Sequence, residues 1–113
     1  MKHFPKVENR TMYISIPISN VDPEFSRKKA ERWEKKFRTK GYDVINPWVL
    51  GSQLDWELKQ VEETPDWLDY MERDILELGR ATDIFFCWGW QDSRGCRIEN
   101  AIAKAFKLTM YYE

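Results

Sequence analysis

The stretch DIFFCWGWQDSRGCRIENA, residues 83–101, decides the fold of this chain. It opens with a nearly continuous apolar run at residues 83–88, which is typical of a central parallel strand covered on both faces. A polar loop with glycines follows at residues 89–95, and a helix is predicted from about Cys96 to Phe106. A strand, a loop and a helix in this order predict one unit of a parallel α/β sheet.

The amino-terminal part of the chain predicts a second unit of this kind. The segment TMYISIPI, residues 11–18, is rich in β-branched and aromatic residues and is predicted as a buried first strand. Asp22 then caps a helix that has Pro23 at its first position, and Gly41 ends it. At helical spacing, the apolar face of this helix carries Ala30, Trp33 and Phe37.

The middle of the chain is less regular. Residues 42–45 are predicted as a second strand, and residues 48–63 as a loop with some helical content, long enough to act as a lid. The cap-and-proline pattern of residues 64–66 opens another helix, which Gly79 ends. The inward face of this helix is predicted to carry Leu68, Met71, Ile75 and Leu78. The inward face of the last helix is predicted to carry Ile98, Ala101, Ile102 and Ala105.

The order of these elements predicts an α/β fold in one domain over residues 1–113. With residues 108–112 as a last strand, strands and helices alternate throughout. We therefore expect an open parallel sheet of four to five strands with helices on both faces, a flavodoxin- or Rossmann-like three-layer sandwich. Ligands of such sheets bind beyond the carboxyl ends of the strands. This rule selects three loops, which begin at Pro17, at Asn46 and at Gly89.

Composition excludes several classes of function. The formal net charge of −1, from 18 basic and 19 acidic residues, lacks the basic excess of a protein that binds nucleic-acid polymers. No apolar run is long enough for a membrane span or a signal peptide. His3 is the only histidine, which argues against a Ser-His-Asp site and a His-ligated metal. Cys87 and Cys96 do not form a metal-type pair, so we expect a reduced, cytoplasmic protein.

The loop and helix after the apolar strand contain the candidate site. Amide groups at the start of the helix suit a phosphate or carboxylate, Ser93 can add a hydroxyl, and Gly95 permits close approach of the backbone. Glu99 lies one turn into the helix and can point into the same cleft. The alternative is that Ser93 only caps the helix and that Glu99 only interacts favourably with its dipole.

Four features together resemble the nucleoside 2-deoxyribosyltransferase superfamily. They are MYISIPI, VINP, an acid in the helix before the third strand, and the pattern GWxxSxGxxxE. The likeness runs from Tyr13 to about Ala105, and is closer still to a small uncharacterised bacterial and phage branch, a domain of unknown function.

The resemblance implies roles for several residues. Glu99 matches the glutamate that attacks the anomeric carbon, and Asp74 the aspartate that assists departure of the base. Tyr13 matches the tyrosine that orients the glutamate. Ser93 matches a serine that contacts the 5′-phosphate in nucleotide N-glycosidases, which favours a nucleotide over a nucleoside. The relatives need no cofactor or metal and complete their sites across a homo-oligomer, so we expect a homodimer or larger assembly.

Two positions depart from the family pattern. Ile16 replaces a glycine before Pro17, and Arg97 replaces a small residue two positions before Glu99. Both changes would narrow or rearrange the cleft. Arg97 has two alternative ion-pair partners, a phosphate of the ligand or the Glu99 side chain. Pairing with Glu99 would weaken Glu99 as a nucleophile.

The sequence also contains two tryptophans with alternative roles, and two polar residues that are interpreted as structural. Trp90 or Trp88 could stack on a base, or Trp88 could be core while Trp90 packs against another subunit. Cys96 is interpreted as a packing residue and Asp83 as a residue of the turn before the strand.

Three functions follow as hypotheses. The first is an N-glycosidase or 2-deoxyribosyl transferase acting on a (deoxy)nucleoside or its 5′-monophosphate, with Glu99, Asp74 and Tyr13 as catalytic residues. The second is a non-catalytic nucleotide-binding or sensing module on the same fold. The third is a protein-interaction domain that uses its surface tryptophans. In the first, the predicted substrate-binding residues are Ser93, Gly95, Trp90, Pro17, Asn46 and Arg97.

Overall fold

The computed structural model describes residues 9–113, in which four parallel strands form one sheet. The strand order is β2-β1-β3-β4, and all three strand pairings are parallel. The strands are β1 (Thr11–Ser15), β2 (Asp43–Ile45), β3 (Asp83–Phe86) and β4 (Thr109–Tyr112). The predicted fold class, an open parallel α/β sheet, is confirmed.

Helices cover both faces of this sheet. The faces are set by β1, whose successive side chains point to opposite sides. Met12 and Ile14 pack with α1, whereas Tyr13 lies on the side of α3 and α4. The helices are α1 (Pro23–Thr39), α2 (Pro47–Gln60), α3 (Trp67–Leu78) and α4 (Arg94–Phe106), and a short 3-10 turn spans Trp90–Asp92.

The start of α1 is as predicted, whereas α3 begins two residues later than the cap-and-proline pattern at Thr64 and Pro65 indicated. The Asp22 side chain accepts the Phe25 N–H at 3.1 Å, as predicted. At α3 the cap is Asp66, which exchanges hydrogen bonds with Asp69 in a capping box. Each cap satisfies a backbone N–H that has no partner inside the helix.

The predicted loop at residues 48–63 is wrong, because most of it is the helix α2. Asn46 caps α2 by accepting the Trp48 N–H at 3.0 Å, and Pro47 occupies its first turn. Pro47 and Leu54 are its only buried residues within the described chain, so the apolar period that identifies a helix was weak. Instead of a loop, this segment forms a helical wall of the cleft.

The predicted inward faces of α3 and α4 need correction. Leu68 is 67% exposed, whereas Met71 and Leu78 are buried as expected. On α4, Ala101 and Ala105 are exposed. The buried face of α4 consists of Cys96, Glu99, Asn100 and Ala103. Two of these residues are polar, and their burial depends on hydrogen-bond partners in β1 and β4 that the period of α4 does not contain.

Two strands end earlier than predicted. β1 ends at Ser15 and β3 at Phe86, so residues that follow them form the cleft edge instead. Trp88 is 79% exposed, which excludes the alternative that it is core. Asp83 begins β3, where its Oδ1 accepts Arg10 Nε at 2.8 Å at the opposite end of the sheet. Within residues 9–113, no helix is long and apolar enough to cross a membrane.

Candidate active site

A cleft of about 760 Å³ lies at the carboxyl ends of the strands. Its walls come from the loop after β1, from α2, from the first half of α3 and from the start of α4. The chain leaves β1 and β3 toward opposite sides of the sheet here, which is the position where open α/β sheets bind ligands. The walls combine carboxyl groups, arginines and three aromatic rings.

Glu99 forms part of the cleft floor and is held by β1. Its side chain is 4% exposed. The Tyr13 hydroxyl donates to Oε2, and the Ser15 hydroxyl donates to Oε1 at 2.8 Å. Tyr13 and Ser15 are two residues apart in a strand and therefore point to the same face. Each carboxylate oxygen thus accepts one hydrogen bond from a neutral donor.

Burial controls the ionisation of this cluster. It raises the pKa of Glu99 to about 7, although the hydrogen bonds from Tyr13 and Ser15 lower it. Burial, together with the negative charge of Glu99, also raises the pKa of Tyr13 well above its ordinary value, so the tyrosine keeps its proton. Glu99 therefore changes charge near neutral pH while its donors do not.

Asp74 of α3 is the second carboxyl group in the cleft. It is 8% exposed, and within residues 9–113 its side chain makes no hydrogen bond or ion pair. Burial and the negative charge of Glu99 raise its pKa to about 8. Tyr70 and Met71 line the cleft beside it, whereas Leu78 lies in the core under the sheet. A buried acid without a partner is available to a ligand.

Ser93 and Gly95 lie at the start of α4, and both line the cleft. The Ser93 hydroxyl accepts the Cys96 N–H at 3.3 Å, so it does cap the helix. A side chain at Gly95 would come within 3.2 Å of Met71 Sδ. Glycine at this position therefore allows α4 to approach Met71 of α3 closely.

Two arginines line the cleft at the same end. Arg97 donates to the carbonyl oxygen of Gln91 at 2.9 Å and makes no ion pair with Glu99, so that alternative is not observed. The Arg94 guanidinium lies 3.7 Å from the ring centroid of Trp67, a cation–π contact. Within the described chain Arg94 has no acidic partner.

Four predicted site residues lie outside the cleft lining, and one of them, Tyr13, is fully buried beneath it in contact with Glu99. Trp90 packs on Phe86 and Tyr112, with ring centroids 5.2 and 5.6 Å away. Asn46 caps α2 and donates to Glu34 at 3.0 Å. Pro17 lies beside Gly89. Ile16, the departure from the family pattern, does line the cleft.

Sequence reasoning missed Ser15, Arg94 and the aromatic ring of Trp67. The alternation Tyr-x-Ser in the first strand could have indicated Ser15, because both side chains share one face. No local signal could have indicated Arg94, since its aromatic partner comes from another helix. The Tyr70 hydroxyl donates to Asp55 at 2.5 Å and so joins α3 to α2.

Cys96 contributes a thiol to the cleft lining. Burial raises the pKa of Cys96 to about 11, so the thiol is protonated near neutral pH. Residues 9–113 contain no group of three or more histidine, cysteine, aspartate or glutamate side chains able to hold a metal ion. The chemistry of this cleft is that of two buried carboxyl groups and neutral hydroxyl donors.

Fold and cleft together define an α/β protein with a cleft that holds a pair of buried carboxyl groups. The chain matches, over residues 10–112, the family described as Domain of unknown function (DUF4406), and it belongs to this family. Comparison with curated proteins found no match.

Proposed function

We propose that this protein cleaves the N-glycosidic bond of a (deoxy)nucleoside 5′-monophosphate, as members of the nucleoside 2-deoxyribosyltransferase superfamily act on nucleosides and nucleotides. The observation that carries the proposal is the pair of buried carboxyls in one cleft. Glu99 is held by two hydroxyls and Asp74 has no partner. A retaining glycosyl transfer requires one carboxylate nucleophile and one acid.

In the first step, Glu99 acts as the nucleophile. A lone pair of its carboxylate forms a bond to C1′ while the C1′–N bond breaks, and that electron pair passes to the base nitrogen. Asp74 donates its proton to the departing base. The result is a glycosyl ester of Glu99 and a free base.

In the second step, water attacks C1′ and gives a proton to the Asp74 carboxylate. The ester C1′–O bond breaks and its electrons return to Glu99. In the net reaction, the nucleotide and water are converted to free base and sugar 5-phosphate. If a second base replaces water, the reaction is a transfer, and the choice depends on how well the occupied cleft excludes water.

The ionisation of the two acids fits these roles. With pKa values of about 7 for Glu99 and about 8 for Asp74, the state with Glu99 ionised and Asp74 protonated is populated at neutral pH. Neutral donors favour the Glu99 anion without neutralising it, both before attack and when the ester breaks. The rate should therefore peak between these two values.

The start of α4 supports a phosphate on the substrate. Arg94 supplies a guanidinium without an acidic partner in the described chain, and the Ser93 hydroxyl and the helix amides lie beside it. We assign the 5′-phosphate to this end of the cleft. A homodimer or larger assembly also remains part of the proposal, because Leu68, Leu76 and Trp88 leave apolar surface exposed.

A non-catalytic nucleotide-binding module is the second candidate. Ile16 lines the cleft where the family pattern has a glycine, so its larger side chain narrows the cleft at this position. A narrower cleft could bind a nucleotide without permitting attack.

Release of free base separates the two candidates. We expect wild-type protein to release base from at least one member of a panel of nucleoside and deoxynucleoside 5′-monophosphates, and Glu99→Gln to lower this rate by about 10⁴-fold or more. Chromatography measures the base, and the intact mass of protein quenched during turnover detects the glycosyl ester.

Glu72→Gln is the matched control, since Glu72 is an exposed glutamate of α3 outside the cleft. It should retain the wild-type rate. Absence of release from every member, with equal nucleotide affinity of wild type and Glu99→Gln by calorimetry, would refute the enzyme and support the binding module.

A further inference from the structure

Ser15 is a fully buried polar residue in the centre of the sheet. It lies on β1 with 0% exposure, and its hydroxyl donates to Glu99 Oε1 at 2.8 Å. Inside a sheet an apolar side chain would pack as well, and a buried hydroxyl without a partner would destabilise the fold. Its hydroxyl donates to the candidate nucleophile and also interacts with the Cys96 thiol.

The two donors of β1 hold the Glu99 carboxylate by both oxygens. Tyr13 contacts Oε2 and Ser15 contacts Oε1, so together they fix the rotation of the carboxylate plane. Each oxygen has a second lone pair, which a reacting carbon can use. A single donor would leave this rotation free, because terminal torsions of glutamate are broad.

The groups that face Glu99 come from three elements. Tyr13 and Ser15 belong to β1, Asp74 to α3, and Cys96 to α4, and none of these is cationic. The hydrogen bonds are therefore the interactions that favour the anion in a site where burial opposes it.

We propose that Ser15 is a positioning residue that keeps Glu99 ionised and aligned for attack. The proposal rests on the proposed function in one respect, the role of Glu99 as the nucleophile. It predicts a coupling between Ser15 and Glu99 that can be measured without any turnover.

The test is a titration of Glu99 in Ser15→Ala. Carbon-13 NMR of glutamate-labelled protein follows the carboxyl directly, with Glu99→Gln used to assign the signal. We expect the midpoint to rise by about 1 to 2 pH units, because a hydrogen bond to a charged group is lost. Ser15→Cys, with a weaker donor of similar size, should give an intermediate midpoint and protects the test if the alanine variant does not fold.

Ser26→Ala is the matched control, since Ser26 is also a buried serine but bonds to Pro17 and Trp48. Its Glu99 midpoint should equal that of wild type. Loss of one such hydrogen bond should move the Glu99 midpoint by much more than ~0.3 pH units. A smaller change in folded Ser15 variants would overturn the proposal.

Activity gives the second measurement. In Ser15→Ala the acidic limb of the kcat profile should move up with the Glu99 midpoint, with KM changed less than about threefold. A lower kcat at every pH without a moved limb would indicate a structural effect and contradict the proposal. If wild type releases no base, the proposed function fails, while a shifted midpoint still supports the control of Glu99 by Ser15.

Discussion

Asp74 shows how a single residue connects stability with chemistry. It is nine-tenths buried on α3 without a hydrogen-bond partner in residues 9–113, and its pKa is about 8. An acid whose pKa is higher in the folded than in the unfolded state binds its proton more tightly when folded. Ionisation of Asp74 therefore costs stability, which is the expected cost of keeping a protonated acid at neutral pH.

We predict that the free energy of unfolding of Asp74→Asn, measured relative to wild type, increases as pH rises. Wild-type stability from this group is greatest below about pH 4 and falls as pH rises to about 8, whereas asparagine carries no charge. The gain of Asp74→Asn over wild type should be at least about 1 kcal/mol larger at pH 8.5 than at pH 5. Urea unfolding at both pH values measures it.

The same substitution should lower base release by about 10²–10⁴-fold, because the leaving base loses its acid. Asp43→Asn is the control for activity, since Asp43 is exposed on β2 outside the cleft, and it should retain the wild-type rate of base release. An equal gain of Asp74→Asn at both pH values would contradict the raised pKa.

Among the elements, α2 is the one whose formation depends most on its first residues. Only Pro47 and Leu54 are buried along it, so packing contributes little. Asn46 compensates with two hydrogen bonds, from Trp48 N–H and to Glu34, both at 3.0 Å. It is 4% exposed, so both bonds are shielded from water.

Asn46→Ala should lower the free energy of unfolding by about 1–2 kcal/mol, because a cap and a buried hydrogen bond are lost together. Denaturant unfolding measures the loss. Asp22→Ala, which removes the exposed cap of α1, should cost about 1 kcal/mol and serves for comparison. A loss below about 0.5 kcal/mol for Asn46→Ala would show that packing alone forms α2.

Across the whole molecule, charge is almost balanced. The formal net charge is −1, so the overall field does not attract an anionic nucleotide. Recognition of a phosphate must then come from local groups, and Arg94 lines the cleft without an acidic partner in the described chain. Its stacking on Trp67 holds the guanidinium in place before a ligand arrives.

We therefore predict that Arg94→Ala raises KM for a 5′-monophosphate by about 10- to 100-fold, because a charged hydrogen bond is lost. The KM for the matching nucleoside should change less than about threefold. The KM of Arg94→Lys for the 5′-monophosphate should lie between those of wild type and Arg94→Ala, since lysine keeps the charge but not the planar stacking. Steady-state kinetics on the paired substrates gives both numbers.

Arg32→Ala is the control, as Arg32 is an exposed arginine of α1 outside the cleft. Equal losses for nucleotide and nucleoside in Arg94→Ala would place the phosphate elsewhere.

The sequence by itself determined the layer architecture and most of the helix ends. An apolar run covered on both faces, a first strand rich in β-branched and aromatic residues, and caps such as Asp22 are local signals, and local propensity agrees with the final fold. It failed at residues 48–63, where α2 buries too few residues to show a period.

Only the tertiary structure decided the composition of the cleft. Glu99 and Asn100 are buried because donors and acceptors on β1 and β4 satisfy them, which no period within α4 reveals. Likewise Arg94 meets Trp67, and Asp74 lies without a partner, through the packing of α3 against α4. Contacts between residues distant in sequence depend on the assembled core, so they are beyond the information in any single segment.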